Sequence, residues 1–437
     1  MNDFPFRNGR PPEHQAPIPL ACDVVVIGGG IAGISTAWEL AGKGLQVVLC
    51  EKGLVGAEQS GRNWGWIRVQ GRNPAEIPLV LEAKRHWARW GERLGPDLGL
   101  RTVGVTYLAE NDRDLAEHEA FMTHARGHDL DTRRLSAAET QALIPGATEG
   151  RWLGALHTPS DGRAEPWVAV PMMACALAQA GVAIRENCAV RALDIEGGQL
   201  KGVITEEGRI RADAVVLAGG AWSSLLLRLH GLTIPQLSVL ASVGATEPLP
   251  LIHDGNASDN EVGFRRRADG GYSLAAPNSH VMPVGPDAFR HFGAYLSILE
   301  KEWRTTRLRP GAPRGWPDAW TTPRRWNAEE RSPFEATRIL DPRPDAKALA
   351  SAARAFSAAF PQLGPIRYRA TWGGLIDTMP DVVPILDQVP GLPGLVLGTG
   401  LSGHGFGIGP AVGRVLAELA TGGDSGHDLS AFRYGRF

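Results

Sequence analysis

Residues 23–33 read DVVVIGGGIAG, and this stretch decides the fold. Asp23 to Ile27 is a continuous, mostly β-branched apolar run, the pattern of a strand buried on both faces of a parallel sheet. Gly28-Gly29-Gly30-Ile31-Ala32-Gly33 follows at once, and Ile34, Ala37, Trp38 and Ala41 then recur at helical spacing until Gly42 and Gly44 stop the helix. A second strand, Gln46 to Cys50, ends in Glu51-Lys52 and completes a βαβ unit. In G28-x-G30-x-x-G33 one glycine makes the turn, one admits a pyrophosphate to the backbone, and the third lets helix and strand pack closely. Ile31 and Ala32 open the helix, whose free N–H groups and dipole favour phosphate. Glu51, 18 residues beyond Gly33, stands where an acid binds ribose hydroxyls. Glycine spacing alone is weak evidence. Strand, helix and acid together predict a dinucleotide site.

Glu51 favours an unphosphorylated ribose, hence FAD or NAD rather than NADP. A later segment, ADAVVLAGGAW (212–222), reads as a buried strand returning beside the first, with Ala218, Gly219, Gly220 and Trp222 allowing close passage of the nucleotide. That strand favours FAD.

The wider composition narrows the class. A chain of 437 residues suggests two or three domains, and 43% hydrophobic with 21% charged residues is ordinary for a globular protein. Lys+Arg 45 against Asp+Glu 47 leaves a net charge of −2, so no field for nucleic acid is expected. No apolar run reaches the length of a membrane span. The first twenty residues read as a polar, Pro-rich arm without the apolar core of a signal peptide. Cys22, Cys50, Cys175 and Cys188 form no C-x-x-C pair, so neither a zinc site nor a disulfide framework is indicated, and a cytoplasmic location is the default.

Further along, Val80, Ala83, Trp87, Trp90 and Leu94 mark a helix over 75–95, TVGVTYLA (102–109) a strand, and Pro166 the first turn of another helix. Gly197-Gly198 and Ala268-Asp269-Gly270-Gly271 mark hairpins. A helix is expected over 346–360, strands near 366–374 and 394–398, and a last helix over 410–421. The expected class is α/β, a Rossmann-like FAD-binding domain interleaved with a mixed or antiparallel-sheet substrate domain. The first would comprise 21–95, 155–235 and 365–437; the second, 96–154 and 236–364, with an Arg/Trp-rich insertion at about 290–337.

Three further blocks carry a resemblance. AEQSGRNWGW (57–66), WGGLIDTMPDVVPILD (372–387) and GTGLSGHGFGIGP (398–410) resemble segments of the FAD-dependent amino-acid oxidases, a family that includes glycine oxidase, sarcosine oxidase and D-amino-acid dehydrogenase. Within it the chain is most similar to bacterial L-amino-acid deaminases, through EQSGRNWGW, FRRRADGGY (264–272), RWNAEERSPFEATR (325–338) and the closing loop. Those deaminases carry an N-terminal anchor where this chain has its polar arm.

The resemblance implies noncovalent FAD, held by Lys52, Gln59, Ser60, Arg62, Asn63, Gly65, Trp66, Val190 and Gly374 besides the residues above. Gly400, Leu401, Ser402, Gly403, His404, Gly405 and Phe406 would form the loop at the flavin pyrimidine end, where a helix N-terminus stabilises negative charge. It implies hydride transfer from the amine-bearing carbon to flavin N5, with imine hydrolysis following, a reaction that needs orientation and a dry pocket more than acid–base groups. Trp66 and Trp372 are the candidates for the wall facing the flavin; His404 and His280 are candidates for contacts to flavin or substrate. Each has a plain structural reading too, as core or strand residues.

An Arg that clamps the substrate carboxylate is expected after the hairpin or after W-x-G-L. The sequence has AAPNSHVMPV (275–284) at the first place and Ile376 at the second. Arg68, Arg163, Arg265–Arg267 and Arg331 are the candidate substitutes, or else the substrate is an opine, polyamine or other secondary amine. The electron acceptor would be oxygen or a respiratory quinone. Trp303, Trp316, Trp320 and Trp326 lie among seven basic and two acidic residues over 301–326, which suits either a lid or peripheral contact with a membrane. An NAD-dependent dehydrogenase and a non-catalytic flavoprotein relay remain as other classes.

Overall fold

The computed structural model describes residues 10–302 and 306–437; Trp303 lies outside the described residues. Strand Ala21–Ile27 sits between Val47–Cys50 and Gly208–Leu217, parallel to both. Val25 and Val26 point to opposite faces and are both fully buried, which explains why this strand is apolar throughout rather than alternating. Helix Ile31–Gly42 makes the crossover. Strand Gly208–Leu217 divides its pairing. Its first residues join Gln199–Thr205 antiparallel, and its last three run parallel to Leu395–Thr399. The hairpin Val190–Glu196/Gln199–Thr205 turns at Gly197-Gly198. Of the N-terminal arm, Ala16 donates a backbone hydrogen bond to Ile184 at 3.1 Å, beside strand Ala183–Arg185.

A second, ten-stranded sheet is organised around Leu237–Thr246, which pairs antiparallel with Tyr368–Thr378 along its whole length. Helix Ala346–Ala359 covers this sheet, with Phe356 and Phe360 against Phe264 at centroid distances of 5.2 and 5.5 Å. Two strands depart from the expected division. Gly154–Thr158, which straddles the boundary expected at 154/155, and Tyr368–Thr378, which falls inside the expected nucleotide part, both belong to the second sheet, because their partners are Val105–Ala109 and Leu237–Thr246.

The last helix also differs, running over Gly405–Thr421 rather than beginning at 410. Its glycines are a packing face. A Cβ on Gly409 would lie 2.6 Å from Ile31 Cγ1, and one on Gly413 2.4 Å from Ser35 Cβ, so this helix lies hard against Ile31–Gly42.

The Arg/Trp-rich segment splits in character. Trp316 is buried, and half-buried Trp326 packs on Phe334 and donates to Arg191 O at 2.9 Å. Trp320 is 59% exposed, beside exposed Phe289.

Candidate active site

The C-terminal ends of Ala21–Ile27, Val47–Cys50 and Gly208–Leu217 open on a cavity of about 360 Å3. One end is built from the glycine turn. Gly28 has φ +110°, and a Cβ there would lie 2.5 Å from Ala218 O; one on Gly33 would lie 1.9 Å from Gly28 O. Gly28 and Gly30 line the cavity, whereas Gly33 stands behind them as the helix–strand contact. Gly30 caps helix Ile31–Gly42 without a side-chain cap, and Ile31 and Ala32 also face the cavity. The Glu51 carboxylate accepts from Gly29 N at 2.7 Å and Gly53 N at 2.8 Å, and burial raises its pKa despite Lys52 beside it. Lys52 itself is engaged with Glu58 at 2.6 Å and sits over the Trp222 ring, 4.3 Å from its centroid. Trp222 Nε1 donates to the other Glu58 oxygen at 2.9 Å.

The segment 57–66 wraps this end. Ser60 Oγ accepts from Ile31 N at 2.9 Å, and Gln59 Oε1 accepts from Asp377 N at 3.2 Å. Arg62 donates to Ala57 O, Gly373 O and Asp341 at 2.8, 3.1 and 2.6 Å, tying the two sheets together. Asn63 shapes the turn, donating to Gln59 O and Ser60 O and accepting from Gly65 N. Val190, Gly219, Gly220 and Gly374 complete the wall, while Gly65 and Gly400 lie behind it at positive φ. Asp377 is a residue that the sequence reading missed. Fully buried, it accepts from Gly400 N at 2.9 Å and Gln236 Nε2 at 3.0 Å, and so fastens the closing loop to strand Tyr368–Thr378.

At the other end stand Trp64, Trp66, Ile376 and the run Leu401–Phe406. Trp66 packs edge-on to Trp64 at 5.2 Å, and its Nε1 is buried without a hydrogen-bond partner. Trp372 does not reach the wall. It is 2% exposed, donates to Arg62 O at 3.0 Å and packs on Trp167 in the core; it shares a strand face with Gly374 and Ile376, but its ring is taken up by these contacts rather than by the cavity. His280 lines the cavity half-buried.

His404 joins both Glu76 oxygens through Nδ1 at 3.1 Å. Burial, then Arg72, push its pKa down to about 4, so the ring is neutral at pH 7 with its proton on Nδ1, facing an acceptor-only carboxylate. Burial alone would raise Glu76; His404 and Arg72 reverse this and hold it below the usual range.

The candidate arginines separate cleanly. Arg163 pairs with Asp254 at 2.9 Å, Arg265 grips Glu165 through two 2.9 Å bonds, and Arg267 braces Thr246 O and Asp269. None of these lines the cavity, nor does Arg331 or Arg266. Arg68 does, with Nη1 on Gln70 O and its guanidinium 5.4 Å from the Tyr107 ring centroid. So does Arg72, a second residue that the sequence reading missed.

The glycine turn, the Glu51 carboxylate and the helix N-termini at Gly30 and His404, the first with Ser60 Oγ on Ile31 N, form a cradle that fits a dinucleotide. These features define a flavin-dependent oxidoreductase. The chain matches the DAO family, FAD dependent oxidoreductase, over residues 23–419 and belongs to it. FAD is its cofactor. It is similar to a glycine oxidase of Pseudomonas putida, 28% identical over 93% of this chain and 96% of that protein. A D-amino acid dehydrogenase of Paramagnetospirillum magneticum is 26% identical over 95% and 98%. Among solved structures, the L-amino acid deaminase of Proteus myxofaciens in complex with anthranilate superposes with a TM-score of 0.91 at 31% identity, over 97% of this chain and 96% of that one.

Proposed function

We propose that the chain oxidises the C–N bond of an amino acid, giving a keto acid and ammonia. The observation that carries this reading is the continuity of one cavity from the Gly28–Gly33 turn and Glu51 to the Trp66, Ile376 and His404 wall. Bound FAD supplies an acceptor for the hydride leaving the amine-bearing carbon. The protein's part is to orient that carbon against an aromatic and apolar wall and to exclude water. His404, held neutral by burial and fixed by Glu76, adds no charge of its own beside the ring. A second reading, oxidation of an opine, polyamine or other secondary amine, is supported by Ile376 and the Arg-free stretch 275–284.

Anaerobic mixing of the FAD-loaded protein with L- and D-amino acids, opines and polyamines tests both readings through the flavin absorbance. Bleaching by one enantiomer of an α-amino acid supports the first and gives its handedness. Bleaching only by secondary amines selects the second, and a flavin unbleached by any of them refutes both.

Oxygen or a membrane quinone then reoxidises the enzyme. No helix among the described residues is long and apolar enough to cross a membrane. Exposed Phe289, Phe292, Leu308 and Trp320, with exposed Arg309 and Arg314 nearby in sequence, support peripheral contact of a cytoplasmic protein with an anionic inner surface. Co-sedimentation with phosphatidylglycerol vesicles but not phosphatidylcholine vesicles is the expected result; equal partition refutes the contact.

A further inference from the structure

We propose that Arg72, with Arg68 beside it, binds the carboxylate of the amino-acid substrate and so takes the role left vacant at Ile376 and in 275–284. The inference rests on the amino-acid reading above and names the group that makes it specific. Arg72 is 6% exposed and lines the cavity. Its Nη1 is buried with no hydrogen-bond partner, and its one side-chain bond is a long one, from Nε to Arg68 O at 3.4 Å. A buried guanidinium nitrogen is not peculiar to Arg72; what separates it from Arg62, Arg163, Arg265, Arg267 and Arg338 is that each of those holds a carboxylate. Arg163, Arg265 and Arg267 have carboxylate partners away from the cavity. Arg62 and Arg338 line it but are engaged, with Asp341 and Gly373 O in one case and with both oxygens of Glu206 in the other.

A guanidinium taken out of water without a hydrogen-bonded anion is strongly unfavourable, so one kept in a cavity wall points to an anion that arrives with the ligand. The surroundings set how much anion. Glu76 lies close by, yet both its oxygens face His404 Nδ1, and Asp161 is engaged with Lys84 at 3.1 Å and with Val69 N at 2.9 Å. Two cations, Arg68 and Arg72, thus stand against the single Glu76 carboxylate, with His404 neutral. One positive charge is left over, the complement of one carboxylate. The lining also includes Trp66, Val243, Ile376 and Pro277, apolar or aromatic, with Ser242 and His280 as polar members beside them in sequence. The substrate class that fits is a monocarboxylic α-amino acid with an apolar side chain.

The test uses FAD-loaded wild type, Arg72→Gln and Arg72→Lys, with flavin content and melting temperature recorded for each. Benzoate, a carboxylate that cannot be oxidised, is titrated against the flavin spectrum. Anaerobic reduction is then measured with an apolar amino acid and with the primary amine that lacks its carboxylate. Arg72→Gln is expected to raise the half-saturating concentration of benzoate and of the amino acid about 100-fold, and Arg72→Lys about 10-fold, with the amine unchanged. Benzoate and amino-acid half-saturation within threefold of wild type, in a variant that keeps its flavin, overturns the assignment. Should Arg72→Gln lose FAD, Arg72→Lys decides on the same comparison. Loss of benzoate binding in a protein whose wild type no amino acid reduces upholds the anion site and overturns the amino-acid reading. Reduction of wild type with Arg72→Gln unaltered does the opposite.

Discussion

Adding one methyl group at Gly28 and the same group at Gly42 separates the cradle from the helix that follows it. Gly28 has φ +110°, where an L side chain is strained by about 1–2 kcal/mol, and its new Cβ would lie 2.5 Å from Ala218 O. That oxygen cannot give way. Ala218 N is bonded to Ile27 O at 2.9 Å, and Val216 and Leu217 are in parallel register with Val26 and Ile27. Forcing the contact adds about 1–3 kcal/mol, so Gly28→Ala is expected to cost about 2–5 kcal/mol in all. The relief available is to push the turn Gly28–Ile31 into the cavity that it lines, where the nucleotide would sit. Gly42 ends the helix with ordinary φ and nothing within 4 Å of a built Cβ, so Gly42→Ala should be neutral or stabilising by up to about 1 kcal/mol.

The assay is flavin content after purification, together with thermal melting of the apo and FAD-saturated proteins. Gly28→Ala should emerge largely without flavin, and its apo form should melt about 2–5 °C below the wild-type apo protein, with little further rise on adding FAD. Gly42→Ala should be yellow and melt within a few degrees of wild type. A Gly28→Ala protein with full flavin content and an unchanged melt refutes the close-approach reasoning, and with it the placement of the nucleotide at this turn.

Glu51→Gln should weaken FAD about 10–100-fold in a titration followed by flavin fluorescence, because an amide cannot accept at both oxygens from Gly29 N, Gly53 N and ribose hydroxyls; unchanged affinity counts against the ribose role. His230, His253 and His404 are each held down to about 4 by burial, and His230 Nε2 accepts from Leu193 N. Unfolded histidine binds protons below about 6.5, so the unfolded chain gains protons that the native one refuses, and apo stability should fall by a few kcal/mol between about pH 6.5 and 4. Urea unfolding at pH 7.5, 6 and 5 checks the sign, and a flat or rising trend contradicts it.

What was legible in the sequence was local. A strand buried on both faces writes itself as an uninterrupted apolar run, and Glu51 and the glycines stand at spacings that one βαβ unit dictates. Tyr368–Thr378 was placed with the nucleotide part because its neighbours in sequence lie there, yet a strand's sheet is set by its pairing partner, here Leu237–Thr246, more than a hundred residues away. Glycines misled in another way. In 403–409 they read as loop, since glycine breaks helices by entropy. The contacts of Gly409 and Gly413 with Ile31 and Ser35 show the opposite requirement, a helix that must approach another closely enough to leave no room for Cβ.

The arginines show why the substrate end was the hardest to read. Arg68, Arg72, Arg163 and Arg265 look alike in sequence, and the chain's many acids lie near any of them in some fold. What distinguishes Arg72 is a missing anion in three dimensions, and missing partners leave no local signature. The one trace available was Glu76 four residues later, at a spacing that brings two side chains together only if the chain between is helical. It is helical only from Pro74 onward, so the pair does not close, and Glu76 turns instead to His404. The same broken turn that denies Arg72 its nearest carboxylate leaves it facing the cavity. A site for a ligand's charge is thus made by where secondary structure begins, which neither residue type nor spacing records.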